Sequence, residues 1–370
     1  DIGAHFNLVA NNNLIIFTNP ATDGLTNGNE NTMLNEIVPI LDAQIGNANY
    51  DIGHALGLHS TPGSSGGIAS LASVCDNTDK GRGATRVSGA AGNGSALGVL
   101  THEFGHQFNA NHSFNGTVSF CNQKNPPTSW ESGGGSTLMA YVGICATDNL
   151  TSSRDLRFHS GSYGEAQTWL ASGTGGSCGA MVATMNSAPT INPGGNFTIP
   201  QRTPFTLTAV GGDPDAADVP NLTFTWEQLD ARGTLFPQNG TAASYNDGAD
   251  PNTTTRPIFR AFPPTASPAR TFPSLTYILN NANVPPDLVG GFQSAEQLPR
   301  VNRTLNFRTT VRDNRGGVNE ADAVLTVAPA TGPFAVTSPN GGENVAGGAA
   351  TNVTWSVAGT SGAPINAANV

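Results

Sequence analysis

Three histidines and one glutamate lie within the short segment 102–112 of the sequence. His102 and His106 are four residues apart, so on a helix their side chains would share one face, about 5–6 Å from each other. This spacing suits two imidazole nitrogens that bind one Zn²⁺ ion. Glu103 follows His102 directly and would reach a water molecule beside that metal. The pattern therefore predicts a zinc site with a general base next to it.

The third histidine, His112, constrains the local fold. If the helix continued past His106, six more residues would place His112 about 120° from the shared face and about 9 Å further along the axis. His112 can therefore be a ligand only if the helix ends first and the chain turns back. Asn109 lies between the two histidines, and asparagine is the best residue after glycine for the left-handed conformation that such a turn needs. We predict that all three histidines bind one zinc ion.

The elements around this segment mix helix and strand patterns. A helix over residues 95–108 would carry the first two histidines, because Ser95 can cap it and apolar residues recur at helical spacing. Further helices are predicted over residues 31–45, despite Pro39, and over 163–170. Strands are predicted over residues 6–10, 14–17 and 67–72. Together these patterns predict an α+β domain over residues 1–187, with a twisted sheet and a helix that carries the zinc-binding histidines.

The pattern changes after about residue 187. Short segments that alternate apolar and polar residues are separated by turns rich in Gly, Pro, Asp and Asn, which is typical of an antiparallel β-sandwich. These segments are residues 197–199, 205–210, 222–226, 305–311 and 323–327. We predict an all-β, immunoglobulin-like module over residues 188–331. Residues 332–370 would begin a further sandwich module, which we expect to be truncated. The chain is thus expected to be multidomain.

The composition excludes several classes of protein. The net charge is −10 and no Lys/Arg cluster is present, so neither nucleic acid nor an anionic membrane surface is expected as a partner. No apolar run approaches the ~20 residues that a membrane-spanning helix needs. The start at Asp1 shows no initiator methionine, signal peptide or pro-segment, so we expect a processed or partial chain.

Four cysteines without a CxxC pair favour two disulfides over a metal or redox site, and three pairings are open. Disulfides persist in oxidising compartments, so we expect a secreted or cell-surface protein.

The zinc segment resembles that of the metzincin endopeptidases, whose signature is HExxHxxGxxH followed by a Met-turn. Here Asn109 stands where the family usually has Gly, and His112 is in the position of the third ligand. Residues 136–141, with the sequence STLMAY, are similar to the Met-turn. Met139 would then be the apolar floor beneath the metal, and Tyr141 is similar to the tyrosine that astacin- and serralysin-type members use near the zinc. The closest resemblance is to reprolysin-like (adamalysin-like) enzymes of exported bacterial multidomain proteases.

This resemblance covers residues 1–180 approximately and implies further features. Family members usually have another strand and a long helix before the segment that matches residues 6–17, so the catalytic domain is expected to be N-terminally incomplete. The resemblance favours the disulfides Cys75–Cys178 and Cys121–Cys145. It implies one catalytic zinc ion. It also implies that a protein or peptide substrate lies extended along an edge strand, here Gly67, Ile68 and Ala69 within residues 67–72.

The implied reaction is hydrolysis of peptide bonds of extracellular proteins. Zinc would lower the pKa of a bound water and polarise the carbonyl, while Glu103 takes the proton and passes it to the leaving amine. Tyr141 would help to stabilise the oxyanion, or else only packs. Two alternatives remain open at this point. One is a surface adhesin with a catalytically idle metzincin fold, against which the intact Glu103 argues. The other is a zinc hydrolase of a non-peptide substrate.

A second group of potential metal ligands lies in the β-rich half. Asp213, Asp215 and Asp218 fall in one predicted loop, and carboxylate oxygens are ligands that Ca²⁺ takes. A solvated acidic turn is the simpler interpretation. The sequence does not indicate an oligomeric state.

Overall fold

The computed structural model describes residues 2–58, 65–87, 94–231, 250–280, 283–329 and 331–367. The chain divides into two units. The first comprises Asp1–Ser113, Thr137–Ala140 and Arg154–Asn186, and the second Phe114–Ser136, Tyr141–Ser153 and Ser187–Val370. The last change of unit lies between Asn186 and Ser187, and the predicted domain bounds stay a prediction. Residues 114–136 and 141–153, which the sequence placed in the catalytic domain, instead cluster with the second unit.

The first unit is built on a mixed three-stranded sheet. Its strands are β1 (Ala55–Leu58), β2 (Ser65–Ala69) and β3 (Gly83–Val87), in the order β1-β3-β2. β3 pairs in parallel with β1 and antiparallel with β2. α1 (Glu30–Gln44) packs on this sheet through Met33, which is fully buried with Ala55 and Ala84. Asn29 caps α1, because its side chain accepts hydrogen bonds from the first-turn amides.

Two more helices complete the first unit. α2 (Gly94–Gln107) packs against β2 and β3, which confirms the predicted zinc-site helix to within a residue at each end; the predicted cap, Ser95, has a side chain outside the described part. α3 (Ser160–Ser172) begins at His159, whose ring nitrogen accepts the Gly161 amide hydrogen bond. Ala166 of α3 is buried with Cys75 in a common apolar cluster.

The segment before α1 differs from the prediction. Residues 6–10 and 14–17 were expected to be strands, and this is wrong: the structure has no strand there and forms a 3₁₀ helix at Asn12–Ile15 after a left-handed Asn11 with φ 61°. Leu8 and Ile16 remain 86% and 67% exposed. A segment rich in apolar residues becomes a strand only when a neighbouring strand pairs with its backbone, and this segment has no such neighbour among the described residues.

The second unit has a β core. A four-stranded sheet has the order β5-β13-β12-β8, and two-stranded pairs are formed by β4 with β7, β6 with β9 and β10 with β11. The strands are β4 (Thr190–Asn192), β5 (Phe197–Ile199), β6 (Phe205–Thr208), β7 (Val210–Gly212), β8 (Thr223–Gln228), β9 (Ala269–Phe272), β10 (Leu288–Val289), β11 (Phe292–Gln293), β12 (Thr304–Arg312) and β13 (Val318–Val327). The segments predicted after residue 187 form strands whose ends are shifted, except that the single strand predicted over residues 205–210 is divided into β6 and β7, which pair with different strands.

Aromatic side chains fill this core. Phe272 of β9 stacks on Phe205 of β6 at 5.0 Å between ring centroids and contacts Phe307 of β12 at 4.9 Å. Leu150 is buried in the same cluster. Ser132 donates a hydrogen bond to the Pro257 carbonyl. These contacts explain why residues 114–136 and 141–153 belong to the second unit. The immunoglobulin-like topology of this unit remains a prediction.

The remaining elements are short. α4 (Leu275–Leu279) follows β9, and β14 (Ala335–Ser338) pairs with β15 (Thr354–Ser356) within the predicted third module, 332–370. The 3₁₀ turns besides Asn12–Ile15 are Asn47–Asn49, Ser119–Gln123, Pro126–Thr128, Ala146–Asp148, Thr174–Gly176 and Val219–Asn221. Within the described residues, no helix combines the length and apolarity that crossing a bilayer requires.

Each unit contains one disulfide. Cys75 is bonded to Cys178 in the first unit, and Cys121 to Cys145 in the second. This is the pairing that the family resemblance implied, out of the three that the sequence left open. The Cys75–Cys178 bond ties the segment after α3 to the segment after β2.

Candidate metal site

The end of α2 brings the three histidines together. The helix stops at Gln107, and Asn109 adopts a left-handed conformation with φ 73°, as predicted. The Ala110 amide donates to the Gly105 carbonyl at 2.8 Å, which closes the turn. The chain then runs back, so that His112 lies beside His106 and not further along the helix axis. Local conformation at one residue thus makes the third histidine available to the site.

The three imidazoles form a tight cluster. The ring centroid of His106 is 4.8 Å from that of His102 and 4.8 Å from that of His112, and the other pair is 5.3 Å apart. The Nε2 atoms of His106 and His112 are 3.2 Å apart, and one nitrogen from each of the three rings lies within 4.8 Å of the others. Ligands of tetrahedral zinc at about 2.1 Å from the ion are separated by roughly 3.4 Å, so this spacing fits such an ion.

Hydrogen bonds fix which nitrogen faces the cluster. His102 Nδ1 lies 2.7 Å from the Leu138 carbonyl, and His106 Nδ1 lies 2.8 Å from the Ala110 carbonyl. A carbonyl only accepts, so each Nδ1 carries the proton and each Nε2 keeps its lone pair. Burial lowers the pKa of His106 to about 4 and holds that of His102 well below its usual range. Both rings are therefore neutral near pH 7, which is the form that binds zinc.

Glu103 lies beside this cluster in a dry environment. Its side chain is 4% exposed and packs against the backbone of β2 at Gly67, where an added Cβ would be 2.5 Å from both Cγ and Oε1 of Glu103. Burial raises the pKa of Glu103 to about 8, and the charge of Arg154 opposes this shift. Burial alone therefore favours the protonated carboxyl at neutral pH, and a cation held by the histidines would favour the carboxylate, which is the form that acts as a general base.

Met139, in the segment predicted to be the Met-turn, packs against α2. Met139 is fully buried with Ala110 and Phe158, and a Cβ at Gly105 would be 2.3 Å from Met139 Sδ. Gly105 lies between the two helical histidines, so the thioether packs directly under that turn of α2. The Ser113 amide donates to the Met139 carbonyl at 3.1 Å. The position and role of Met139 as the floor of the metal site stay a prediction.

Two residues of the surroundings were missed by the sequence analysis. Arg154 donates from Nη1 to the Leu138 carbonyl at 2.9 Å, the same oxygen that orients His102. Glu165 of α3 contacts Asn111, the residue before His112. Glu165 lies 54 residues from Asn111 and Arg154 lies 16 residues from Leu138, and no local pattern in the sequence marks either contact.

The predicted substrate strand is an edge of its sheet. β2 contains Gly67, Ile68 and Ala69, and its only strand partner in the described chain is β3. The strand was predicted to reach Ala72, but it ends at Ala69, and Ala72 has a left-handed φ of 55°. The Ala72 amide donates to the His106 carbonyl at 2.9 Å, so the chain after β2 is tied to the end of α2. Binding of substrate to β2 stays a prediction.

The other polar residues singled out in the sequence have distinct surroundings. Tyr141 belongs to the second unit, where its ring stacks on Phe114 at 4.4 Å, and its catalytic role stays a prediction. The carboxylates of Asp213, Asp215 and Asp218 lie within 4.8 Å of one another. Arg315 donates to Asp218 at 2.9 Å and the Ser187 amide donates to Asp215 at 2.7 Å, so protein groups already neutralise part of this cluster.

Comparison with known proteins agrees with the geometry. The family model described as metallo-peptidase family M12B, reprolysin-like, matches residues 1–113, a range that holds α1, the three-stranded sheet, α2 and the three histidines. No curated protein matches the chain. This family implies zinc, and the cluster of His102, His106 and His112 fits a zinc ion. Over its residues 1–113 the chain is therefore similar to the reprolysin-like metzincins of the metallopeptidase family M12B.

Proposed function

We propose that this protein is a secreted zinc-dependent endopeptidase that hydrolyses peptide bonds of extracellular proteins. The observation that carries the proposal is the cluster of three imidazoles, His102, His106 and His112, with the buried carboxyl group of Glu103 one residue from the first. The two disulfides support a location in an oxidising compartment. The exported bacterial multidomain type, suggested by the sequence, is part of this proposal.

The histidines would hold the metal, and Glu103 would move the proton. When bound, zinc supplies a Lewis acid and lowers the pKa of water toward neutrality. Glu103 accepts the proton of the attacking water at its carboxylate and returns it to the departing amine nitrogen. Its burial against β2 keeps competing bulk water away from that proton. Tyr141 is kept as the proposed hydroxyl group that helps to stabilise the oxyanion.

The substrate would bind in an extended conformation. β2 is an edge strand, and a peptide laid along Gly67, Ile68 and Ala69 would pair with its backbone. Glu103 touches Gly67, so this arrangement places the general base beside the backbone of the bound peptide. Main-chain pairing favours a peptide over other hydrolysable substrates.

The test combines metal content with cleavage. We expect about one zinc per chain by elemental analysis, and cleavage of a quenched peptide library that 1,10-phenanthroline abolishes. Glu103→Ala should retain zinc and lose turnover. Glu343→Ala, which removes an exposed carboxylate of the second unit, is the matched control and should change neither. A protein without zinc, or a Glu103→Ala variant that cleaves at the normal rate, would contradict the proposal.

A further inference from the structure

The turn that carries His112 is held from a distant helix. Glu165 of α3 accepts two hydrogen bonds from one residue: Oε2 from the Asn111 amide at 3.1 Å and Oε1 from Asn111 Nδ2 at 2.7 Å. The two residues are 54 positions apart in the chain. A carboxylate that takes two N–H groups of one residue fixes both its position and its orientation. Asn111 directly precedes His112.

The segment between His106 and His112 needs such an anchor. Its first half is tied to α2, because the Ala110 amide bonds to Gly105 and the Ala110 carbonyl accepts from His106 Nδ1. Beyond Ala110 the chain has left the helix, and the Asn111 amide has no helical carbonyl to bond. Glu165 supplies that acceptor at the point where the chain turns toward the cluster.

α3 is held in place independently of this contact. Ala166, the residue next to Glu165, is fully buried against Val74 and Phe108. The chain after the helix is bonded to the first unit through Cys75–Cys178. The position of α3 is thus fixed by other contacts. Through its hydrogen bonds, the Glu165 carboxylate therefore holds the turn that precedes His112 at a defined place.

We propose that Glu165 is a positioning residue of the metal site, which holds Asn111 so that His112 presents its Nε2 to the ion. The proposal rests on the zinc site of the proposed function, although it concerns metal affinity and not the reaction. Residues that orient metal ligands typically contribute about 10- to 100-fold to metal affinity. We expect a loss of that size when the Glu165 carboxylate is removed.

The variants separate geometry from charge. Glu165→Ala removes both acceptors and should weaken zinc binding about 10- to 100-fold. In Glu165→Gln one oxygen still accepts from the Asn111 amide, and after a flip of the Asn111 side chain the new NH₂ group can donate to its oxygen. This variant should therefore keep zinc affinity within about threefold of the unmodified protein, since both bonds persist without the charge. Thr168→Ala, at an exposed position of the same helix, is the matched control and should keep full affinity.

Zinc affinity is measured on the full chain by competition with a chelator, and thermal unfolding of the metal-free variants reports whether each is folded. If Glu165→Ala does not fold, Asn111→Ala takes its place, because it removes one of the two bonds and should weaken zinc binding by roughly 3- to 10-fold. If Glu165→Ala folds and binds zinc with unchanged affinity, the proposal for Glu165 is wrong, and the same holds for Asn111→Ala if it is used instead. Neither result would contradict the proposed peptidase function. An unmodified chain that binds no zinc overturns the proposed function itself.

Discussion

Glu103 and Gly67 are packed so closely that the backbone of β2 forms one wall of the environment of the general base. The absent side chain at Gly67 is what permits this, since an added Cβ would be 2.5 Å from Glu103 Cγ and Oε1. The neighbouring Gly66 is different: a Cβ there would be 3.3 Å from Glu30 Oε1, at the end of a flexible side chain. Adjacent glycines of one strand therefore differ in how strictly the residue type is required.

We predict that Gly67→Ala lowers kcat/KM for peptide cleavage about 10- to 100-fold, because displacing a reacting group by roughly 1 Å costs that much. Zinc content should not change, since the ligands are not touched. Gly66→Ala is the matched control, and its kcat/KM should stay within about twofold, since the end of the Glu30 side chain can move aside. Steady-state kinetics with metal analysis of both variants is the measurement. Equal activity of the two variants would show that Glu103 does not depend on this contact.

The residue types of the site could be predicted from the sequence, and its supports could not. His102, Glu103 and His106 are placed by helical spacing alone, and Asn109 indicated the turn that brings in His112. The contacts of Gly67 with Glu103, Arg154 with Leu138 and Glu165 with Asn111 join parts of the chain that no local period relates. They depend on tertiary packing, which a single sequence does not encode as a pattern.

Among the elements, the end of α2 has the most direct bearing on the site. Asn109 has φ 73°, a conformation that costs most residues with a Cβ roughly 1–2 kcal/mol. Its amide bonds to the His106 carbonyl at 2.8 Å and the next amide bonds to Gly105. The helix cannot continue without moving His112 away from the other ligands.

We predict that Asn109→Ala lowers the free energy of unfolding of the metal-free protein by about 1 kcal/mol, because alanine is sterically strained in the left-handed conformation. Asn109→Gly should be equal to the unmodified protein or slightly more stable, since glycine adopts this conformation freely. Denaturant titration of both variants measures the difference. If alanine and glycine were equally tolerated, the turn would not need its left-handed residue.

The elements that the sequence predicted well are those with their own local signal. α1 has apolar residues at helical spacing and a capping Asn29, and the predicted strands after residue 187 carry strict alternation. The segment at residues 6–17 is rich in apolar residues but has no partner strand in the described chain, and it forms a 3₁₀ helix at Asn12–Ile15 instead. Local pattern therefore predicts a helix better than a strand, because a strand needs a second segment to satisfy its backbone.

At the scale of the whole molecule, the two units differ in their titratable groups. The ranges of the chain that make up the second unit contain no histidine. In the second unit Glu320 of β13 accepts from Thr310 at 3.0 Å and pairs with Arg308 at 3.2 Å. Burial raises the pKa of Glu320 to about 7, although Arg308 acts in the opposite direction.

The sign of the resulting pH effect follows from proton linkage. Below its ordinary pKa near 4.5 the Glu320 carboxyl is protonated in the folded and the unfolded chain alike. Between there and about pH 7 the unfolded chain releases the proton while the folded chain retains it, so raising the pH favours unfolding. The stability that the protonated group contributes is therefore present at low pH and lost as the pH rises through about 7.

We predict that the unmodified protein loses stability relative to Glu320→Gln between about pH 5 and pH 8, by on the order of 2 kcal/mol, because glutamine stays neutral throughout. Asp322→Asn is the matched control, because it removes the other carboxylate partner of Arg308. The side chain of Asp322 is 55% exposed. Denaturant unfolding of the full chain at several pH values, followed by tryptophan fluorescence, to which the buried Trp226 of the second unit contributes, measures the difference. A constant difference between the unmodified protein and Glu320→Gln across this range would mean that the carboxyl ionises alike in both states, and that Arg308 compensates its burial in full.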